Sequence, residues 1–369
     1  MTAGRRTSWL LLATHVPPSG QLGGMVRYVM ELGRELAAHP DVELSVLTVP
    51  ASRPLFAQLL GDGRRVHVVP ALPTPLRSLL ERPVYLIPSL RGGMDVVHGA
   101  KHLLPTAGPS AKVLTVHDLL PMDRPQDFGW AKRTALVRPY RASVRSADTV
   151  LCVSSATQQR LLADVPEVQD RTVVVPLAMS SALAAAPSTP VAALAGRRFA
   201  LVVGDASPRK NLGLLVDAWD RVVARDPEAV LVTVGPVGWG VDDRGQRWER
   251  LQQSGAVLPL QQVGDDVLRW CYEHARVVAC PSLLEGFGLP AVEALHFGAP
   301  LVTSLDPALV EASGERAQHL SVDDPDAWVQ ALLAALGRPR APASGTSGRT
   351  WAAVADESVR AVRDALAAR

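Results

Sequence analysis

The chain of 369 residues contains 47% hydrophobic and 20% charged residues, which is typical of a folded globular protein and excludes wholesale disorder, and its length allows two domains. The formal net charge of +2 combines a basic first half with an acidic second half, because residues 1–180 hold 20 Lys and Arg against 14 Asp and Glu. Aromatic residues make up only 5% and are not interleaved with basic ones, so no nucleic-acid partner is expected.

The cysteines and the N-terminus favour a cytoplasmic location. Cys152, Cys271 and Cys280 lie in apolar patterns without metal-ligand spacing, which predicts buried, reduced thiols. Arg5 and Arg6 precede a short apolar run, but this run is too short for an export signal and no clear cleavage site follows. It is better interpreted as a first β-strand. No segment approaches the roughly 20 apolar residues of a membrane span.

The first strand is predicted over residues 9–14 and the first helix over about residues 25–38. Apolar residues of this helix recur at intervals of three and four, the period of one buried face. Gly23 and Gly24 directly precede the helix, and Arg27 lies in its first turn. Glycines before a helix N-terminus suit an anion site, but they also occur in ordinary loops.

Short runs rich in β-branched residues then alternate with helical patterns. Because the apolar residues are continuous, the strands should be covered on both faces, as in a parallel sheet. This alternation predicts a doubly wound α/β domain, in which ligands bind beyond the carboxyl ends of the strands. The runs lie at residues 42–49, 65–69, 94–98, 112–116, 148–153 and 171–175.

Two features of this first half have open alternatives. His117 follows the run at 112–116 directly and is either structural or chemical, while Asp118 either orients it or caps the next turn. Residues 131–145 contain five basic and no acidic residues, and Arg138, Arg141 and Arg145 fall on one helical face. This face is either a solvated helix surface or a contact for an anionic acceptor or lipid headgroups. The segment 75–91, which mixes apolar and basic residues, favours the second interpretation.

An Ala-, Ser- and Pro-rich stretch at residues 181–197 predicts a linker between a domain at 1–180 and a second at 198–348. The second domain opens with a strand at 199–204, and Arg209 and Lys210 follow at a strand-to-helix turn. Two cations are unfavourable at a helix start, so a bound anion would stabilise them. An exposed basic turn is the alternative.

Residues 281–304 predict a loop, a helix and a buried strand. Gly286 and Gly288 allow close approach of a ligand to the backbone, and Pro290 suits the first helical turn. Glu285 and Glu293 bracket this potential phosphate seat. A phosphate would repel them, so hydroxyl groups of a ribose and a sugar are better partners; surface glutamates on an ordinary helix are the alternative.

The sequence from Glu285 to Glu293, EGFGLPAVE, resembles the paired-glutamate signature of the retaining glycosyltransferases of family 4. Residues 23–36, 115–121 and 204–211 and the last helix are similar to further segments of that family, although Asp205 stands where many members carry arginine. The resemblance implies a GT-B fold. Its two Rossmann-like, doubly wound α/β domains would face each other across a cleft, with residues 349–369 packing back on the first domain.

The resemblance also implies roles for the site residues. Glu293 would hold the nucleotide ribose, Glu285 would lie against the donor sugar, and His117 would lie beside the sugar ring. Arg209 and Lys210 would stabilise the leaving phosphate and complete the catalytic set, and Arg27 matches a basic position of the family near the acceptor. The expectation that Arg138, Arg141 and Arg145 face an acceptor or a membrane rests on the charge pattern of their helix and not on the resemblance. The implied donor-binding residues are Gly23, Gly24, Arg209, Lys210, Glu285, Gly286, Phe287, Gly288, Leu289 and Glu293.

The expected function is transfer of a hexosyl residue, with retention, from a nucleotide-diphosphate sugar to a glycan, lipid-linked or small-molecule acceptor. No cofactor or metal is expected, because no Asp-x-Asp pair is positioned as a metal-binding loop. The R-K-N and H-D-L forms of the motifs favour a GDP-linked mannosyl or related donor over a UDP-linked one. A nucleotide-sugar epimerase, a catalytically silent sugar-nucleotide-binding protein and a two-lobed solute-binding protein are the alternatives. The expected location is cytoplasmic, with peripheral contact at the inner face of the membrane as a further option.

Overall fold

The computed structural model describes residues 5–20, 23–70, 93–105, 108–236, 245–340 and 348–367. The basic and apolar segment at 75–91 lies outside the described residues. The chain divides into two compact units, one formed by Met1–Leu177 with Thr350–Arg369 and the other by Ala178–Arg349.

The first unit contains a seven-stranded sheet in the order β3-β2-β1-β4-β5-β6-β7, and all of its neighbouring strands are parallel. β1 lies between β2 and β4, so the strand order reverses beside β1. The strands are β1 Thr7–Leu12, β2 Val42–Thr48, β3 Val66–Val68, β4 Val96–Gly99, β5 Ala111–Val116, β6 Thr149–Cys152 and β7 Thr172–Val174. The helices are α1 Gly23–Ala38, α2 Arg53–Leu60, α3 Leu120–Asp123, α4 Trp130–Ser146 and α5 Ser155–Asp164.

The second unit contains a six-stranded parallel sheet in the order β10-β9-β8-β11-β12-β13. Here the order reverses between β8 and β11. The strands are β8 Phe199–Val203, β9 Val230–Val234, β10 Val257–Gln261, β11 Val277–Cys280, β12 Leu301–Ser304 and β13 Gln318–Leu320. The helices are α6 Ser181–Ala185, α7 Leu212–Val223, α8 Gly245–Gln253, α9 Asp265–His274, α10 Leu289–His296, α11 Pro307–Ser313 and α12 Pro325–Gly337.

Strand β8 shows why continuous apolar runs form these sheets. Phe199 and Leu201 pack into one buried cluster of the second unit, whereas Ala200 and Val202 pack into a separate cluster. Successive side chains of a strand point to opposite faces, so both faces of the sheet are covered by helices. The predicted doubly wound α/β class is confirmed in both units.

Residues 181–197, predicted as a linker, fold as the first part of the second unit. Leu183 in α6 and Leu194 in a short 3-10 turn are buried in the core of that unit. Ser180 caps α6, because its hydroxyl accepts from the Leu183 N–H at 3.3 Å. The low charge of the segment suggested a linker, but two of its leucines are part of the apolar core of the second unit.

The last helix, α13 Trp351–Ala367, belongs to the first unit and packs against α1. The Trp351 ring lies against Tyr28 with ring centroids 5.9 Å apart, and Arg363 pairs with Asp41 at 2.9 Å. The chain therefore returns to its first unit after completing the second, as the family resemblance implied.

Two further observations concern the predicted location. In the part of the chain that the structure describes, no helix has the length and apolar character needed to cross a bilayer. Cys152, Cys271 and Cys280 are all buried and carry free thiols. Burial raises the pKa of each thiol to about 12, so these thiols remain protonated and unreactive at neutral pH.

Replacing Trp351 with alanine should lower the free energy of unfolding of the first unit by about 3–5 kcal/mol, because the ring is fully buried between α13 and α1. Urea denaturation followed by circular dichroism measures this change. Trp130→Ala is the matched control, since that indole is 75% exposed and its loss should have little effect. Equal destabilisation by the two substitutions would contradict the packing role of α13.

Candidate active site

The loops that follow β8 and β11 form the centre of the candidate site. These strands are neighbours in the second sheet at the point where strand order reverses, and ligands of such sheets bind beyond the carboxyl ends at this point. Hydrogen bonds join the two loops: the Leu283 N–H donates to the Arg209 carbonyl at 2.7 Å, and the Asn211 side chain donates to the Pro281 carbonyl at 3.2 Å. Asn211 adopts a left-handed conformation with φ 53° to make this turn.

Lys210 reaches the site by crossing the end of β8. It ends a 3-10 turn at Pro208–Lys210, and its side chain passes directly over Gly204. A Cβ atom at position 204 would lie only 2.9 Å from Lys210 Cε. Gly204 also has φ 145°, so glycine is required there both by backbone conformation and by the path of the lysine.

Glu285 accepts hydrogen bonds from both cations of the loop that follows β8. Lys210 Nζ donates to Oε1 at 2.5 Å and Arg209 Nη1 donates to Oε2 at 3.0 Å, while the Ser282 hydroxyl donates to Oε1 at 2.7 Å. Burial alone would raise the pKa of Glu285, but the charges of Lys210 and Arg209 and these hydrogen bonds lower it to about 2. The carboxylate is therefore fully ionised at neutral pH.

Asp205 completes the charge balance of this cluster. It lies 3.9 Å from Arg209, and it accepts from the Ser207 hydroxyl at 2.8 Å. Two carboxylates thus face two cations. The sequence predicted separate partners for the basic and acidic groups, a phosphate for Arg209 and Lys210 and a sugar for Glu285, whereas the structure brings them into one network.

The glycine loop after β11 needs glycine at position 288 for its own conformation and packing. Gly288 adopts φ 92°, and a Cβ atom there would lie 2.7 Å from Leu309 Cδ2, so a larger residue would be strained on two counts. Helix α10 begins at Leu289 with Pro290 in its first turn. Phe287 is buried, and Gly286 is half-buried beside it.

Glu293 lies inside α10 and is only 3% exposed, so it is not the surface glutamate of the simpler interpretation. The Tyr272 hydroxyl of α9 donates to Glu293 Oε2 at 2.8 Å.

A cavity of about 160 Å³ opens beside Gly204 in the same unit. Its lining includes Gly235 at the end of β9, Gln261 at the end of β10, and Trp248 and Gln252 of α8. Its volume is below the roughly 300 Å³ at which ligand pockets begin, so it suits one part of a ligand and not a whole nucleotide sugar.

His117 follows β5 in the first unit, as predicted. Its Nε2 lies 3.1 Å from the Ala100 carbonyl oxygen, which only accepts hydrogen bonds, so Nε2 carries the proton and Nδ1 is the acceptor. Tyr28 of α1 packs edge-on against the imidazole with ring centroids 4.6 Å apart. Asp118 caps the next turn, since it accepts from the Leu120 N–H at 3.1 Å.

A buried polar chain lies next to His117. Thr115 Oγ1 is 2.7 Å from the Tyr28 hydroxyl and 2.7 Å from His98 Nε2. Burial lowers the pKa of His98 to about 3 and those of His102 and His117 to about 4. His117 is therefore neutral at physiological pH.

The glycines of the first loop begin α1 and do not precede it. Gly23 is the first helical residue. Its φ of 72° is a conformation that favours glycine, whereas the space around it would accommodate a side chain. Gly24 is exposed and Arg27 is half-buried. In the described residues, the structure shows no acidic cluster or metal-ligand group beside them.

The basic face of α4 is largely neutralised by acidic partners. Arg141 forms a two-point ion pair with Asp164, and Arg145 Nε pairs with Glu167 at 2.7 Å. Arg138 is exposed. Helical periodicity predicted the shared face correctly, but the counter-charges come from α5 and the turn after it. The surface is therefore less basic than its own sequence indicates.

Sequence reasoning missed the residues that hold the predicted ones in place: Tyr28, His98, Tyr272 and Ser282. The two tyrosines lie on apolar helix faces, and a buried tyrosine usually finds a partner for its hydroxyl. That was the available signal, although it does not identify the partner.

Comparisons with known proteins agree with this fold. The profile of Glycosyltransferase Family 4 matches residues 22–180, and that of Glycosyl transferases group 1 matches residues 197–338. The fold is similar to that of sucrose-phosphate synthase from Thermosynechococcus elongatus, with a TM-score of 0.74 and 21% identity over 99% of this chain and all of that one. The two units therefore form a GT-B glycosyltransferase.

Two relatives have mannosyltransferase names. The chain is 30% identical over 316 residues to MMP alpha-(1->4)-mannosyltransferase of Mycolicibacterium hassiacum, covering 78% of this chain and 74% of the relative. It is 28% identical over 347 residues to O-antigen chain mannosyltransferase B of Escherichia coli, covering 89% and 90%. The chain belongs to glycosyltransferase family 4.

The buried histidines predict that the first unit is destabilised by mild acid. The pKa values of His98, His102 and His117 lie below the ordinary value of about 6.5, so the unfolded chain binds more protons as the pH falls from about 6.5 to about 4. The melting temperature should therefore fall between pH 7 and pH 5. In His98→Gln, which cannot be protonated, this fall should be smaller. An identical pH dependence in the variant would contradict the assignment.

Proposed function

We propose that the enzyme transfers a mannosyl or related hexosyl residue from a nucleotide-diphosphate sugar to an acceptor hydroxyl, with retention and without a metal ion. The observation that carries this proposal is the convergence of Arg209, Lys210 and Glu285 at the switch point of the second sheet. The names of the two relatives favour mannose, and the R-K-N and H-D-L motifs favour a GDP-linked donor.

In this proposal, the donor diphosphate replaces Glu285 as the partner of the two cations. Phosphate oxygens form strong charge-assisted hydrogen bonds with Arg and Lys, so they compete directly with the carboxylate. The released Glu285 then accepts from a hydroxyl of the donor sugar. Glu293 accepts from the ribose, and the cavity beside Gly204 receives the base between Trp248 and the side-chain amides.

The first unit provides the acceptor side and His117. Because Nε2–H of His117 is directed to the Ala100 carbonyl, Nδ1 is the atom that accepts from a sugar hydroxyl. Its lowered pKa keeps it neutral, so its role is to position the sugar and not to transfer a proton. The glycine turn at the start of α1 lies open to the solvent and suits contact with the donor phosphates or the acceptor.

Retention follows without a covalent intermediate. Retaining glycosidases use a nucleophilic carboxylate about 5–5.5 Å from a second carboxyl group. In this proposal Glu285 is assigned to a hydroxyl of the donor sugar and Glu293 to the ribose, so neither carboxylate serves as the nucleophile. The acceptor instead attacks from the face that the phosphate leaves, and a departing phosphate oxygen takes the acceptor proton. Lys210 and Arg209 stabilise the charge that grows on that phosphate.

Incubation with GDP-mannose, UDP-glucose and other nucleotide sugars, with and without a panel of sugar and lipid-linked acceptors, tests this function. The proposal predicts a product that retains the anomeric configuration of the donor, unchanged activity in excess chelator, and no sugar adduct on the protein by mass spectrometry. Acceptor-free isomerisation would indicate an epimerase, and binding without turnover would indicate a silent binding protein. An inverted product or an adduct on Glu285 would refute the mechanism.

Opposite changes at Lys210 and Glu285 test the exchange of partners. Lys210→Ala should lower kcat by about 10²–10³-fold and weaken donor binding far less, because the contact strengthens as the phosphate leaves. Glu285→Gln should reduce kcat without abolishing it. It should also tighten binding of free GDP or UDP by up to about tenfold, since the cations lose their internal competitor. Calorimetry and initial-rate kinetics measure both. Weaker diphosphate binding in Glu285→Gln would contradict the exchange.

A further inference from the structure

A buried hydrogen bond connects α9 to α10 within the second unit. The Tyr272 hydroxyl donates to Glu293 Oε2 at 2.8 Å, and the two residues are 0% and 3% exposed. Where solvent is excluded, hydrogen bonds are stronger and a carboxylate takes its orientation from its protein partners. Tyr272 is therefore one of the groups that determine how Glu293 is presented.

The position of the tyrosine is itself fixed by packing and by one arginine. Its ring stacks on Phe297 with centroids 5.8 Å apart and planes inclined by 15°. Arg340 donates to the backbone carbonyls of Tyr272 at 2.7 Å, Ala275 at 3.2 Å and Phe297 at 2.5 Å. One guanidinium group thus bridges the C-terminal ends of α9 and α10. These contacts hold the Tyr272 ring and the ends of the two helices in place.

The last torsion of a glutamate side chain is broad, so an unrestrained carboxylate rotates about its own axis. A carboxylate whose plane is already fixed binds two neighbouring hydroxyls more tightly, because a group that must first be ordered loses part of its binding free energy. A carboxylate can accept at about four positions, so one bond from a phenol does not by itself prevent contact with a diol.

We propose that Tyr272 is a positioning residue, which fixes the plane of the Glu293 carboxylate for the two ribose hydroxyls of the donor nucleotide. This inference rests on the proposed function, in which Glu293 accepts from the ribose. Ribose recognition would then depend on the Tyr272 hydroxyl of α9 as well as on Glu293 of α10. Arg340 supports this arrangement by binding the ends of both helices.

The test compares GDP and UDP, each with its 2′,3′-dideoxy analogue, by calorimetry on the full chain. The parent protein should bind at least one ribonucleotide more tightly than its dideoxy analogue. In Tyr272→Phe, affinity for that ribonucleotide should fall by about 5–10-fold, the loss expected for one well-oriented hydrogen bond, while affinity for the analogue stays within about twofold. Both affinities come from the same preparation, so an unfolded fraction affects them equally.

Tyr140→Phe is the matched control, because it also removes a buried phenol hydroxyl, which in the first unit donates to the Asp118 carbonyl at 2.9 Å. It should lower the melting temperature but preserve the ratio of the two affinities. An unchanged ratio in Tyr272→Phe would overturn the inference and leave the donor site intact, since the bond would then only stabilise the fold. If the parent protein bound ribonucleotide and analogue equally, the ribose role of Glu293 and this inference would both fail. If it bound neither, the proposed function would fail with them.

Discussion

The buried contact of Glu285 with Lys210 and Arg209 is the interaction on which the second unit's site depends. It draws together two loops that lie 75 residues apart in the chain but follow neighbouring strands. Removing one partner from such a pair leaves an uncompensated charge, so the cluster is stable only as a set. The contact therefore holds the two loops together, and an anionic ligand would compete with Glu285 for the two cations.

Candidate residues follow the carboxyl ends of strands in both sheets, but only those of the second sheet lie where the strand order reverses. In the second unit, charged side chains follow β8 and β11, where the strand order reverses. In the first unit, a neutral histidine follows β5 beside a chain of uncharged hydrogen bonds through Thr115. Charged groups suit a leaving diphosphate, and neutral groups suit sugar hydroxyls. The candidate groups of the two units therefore differ in charge.

The strands, the doubly wound class and the return of the last helix could be predicted, because continuous apolar runs and local motifs are properties of the sequence alone. The motifs also singled out Glu293 and His117; the structure buries both, and their roles in binding stay predictions. The pairing of Glu285 with Lys210 could not be predicted, since it depends on which strands become neighbours. The ion pair of Arg141 with Asp164 of another helix could not be predicted for the same reason. The burial of the two leucines in residues 181–197 could not be predicted either, because it depends on the core of the second unit.

A crystal structure of the full chain with GDP or UDP bound is the most direct measurement of the central claim. The account predicts phosphate oxygens within about 3 Å of Lys210 Nζ and the Arg209 guanidinium, with Glu285 displaced from at least one of them. A diphosphate bound elsewhere, with both contacts of Glu285 intact, would contradict it.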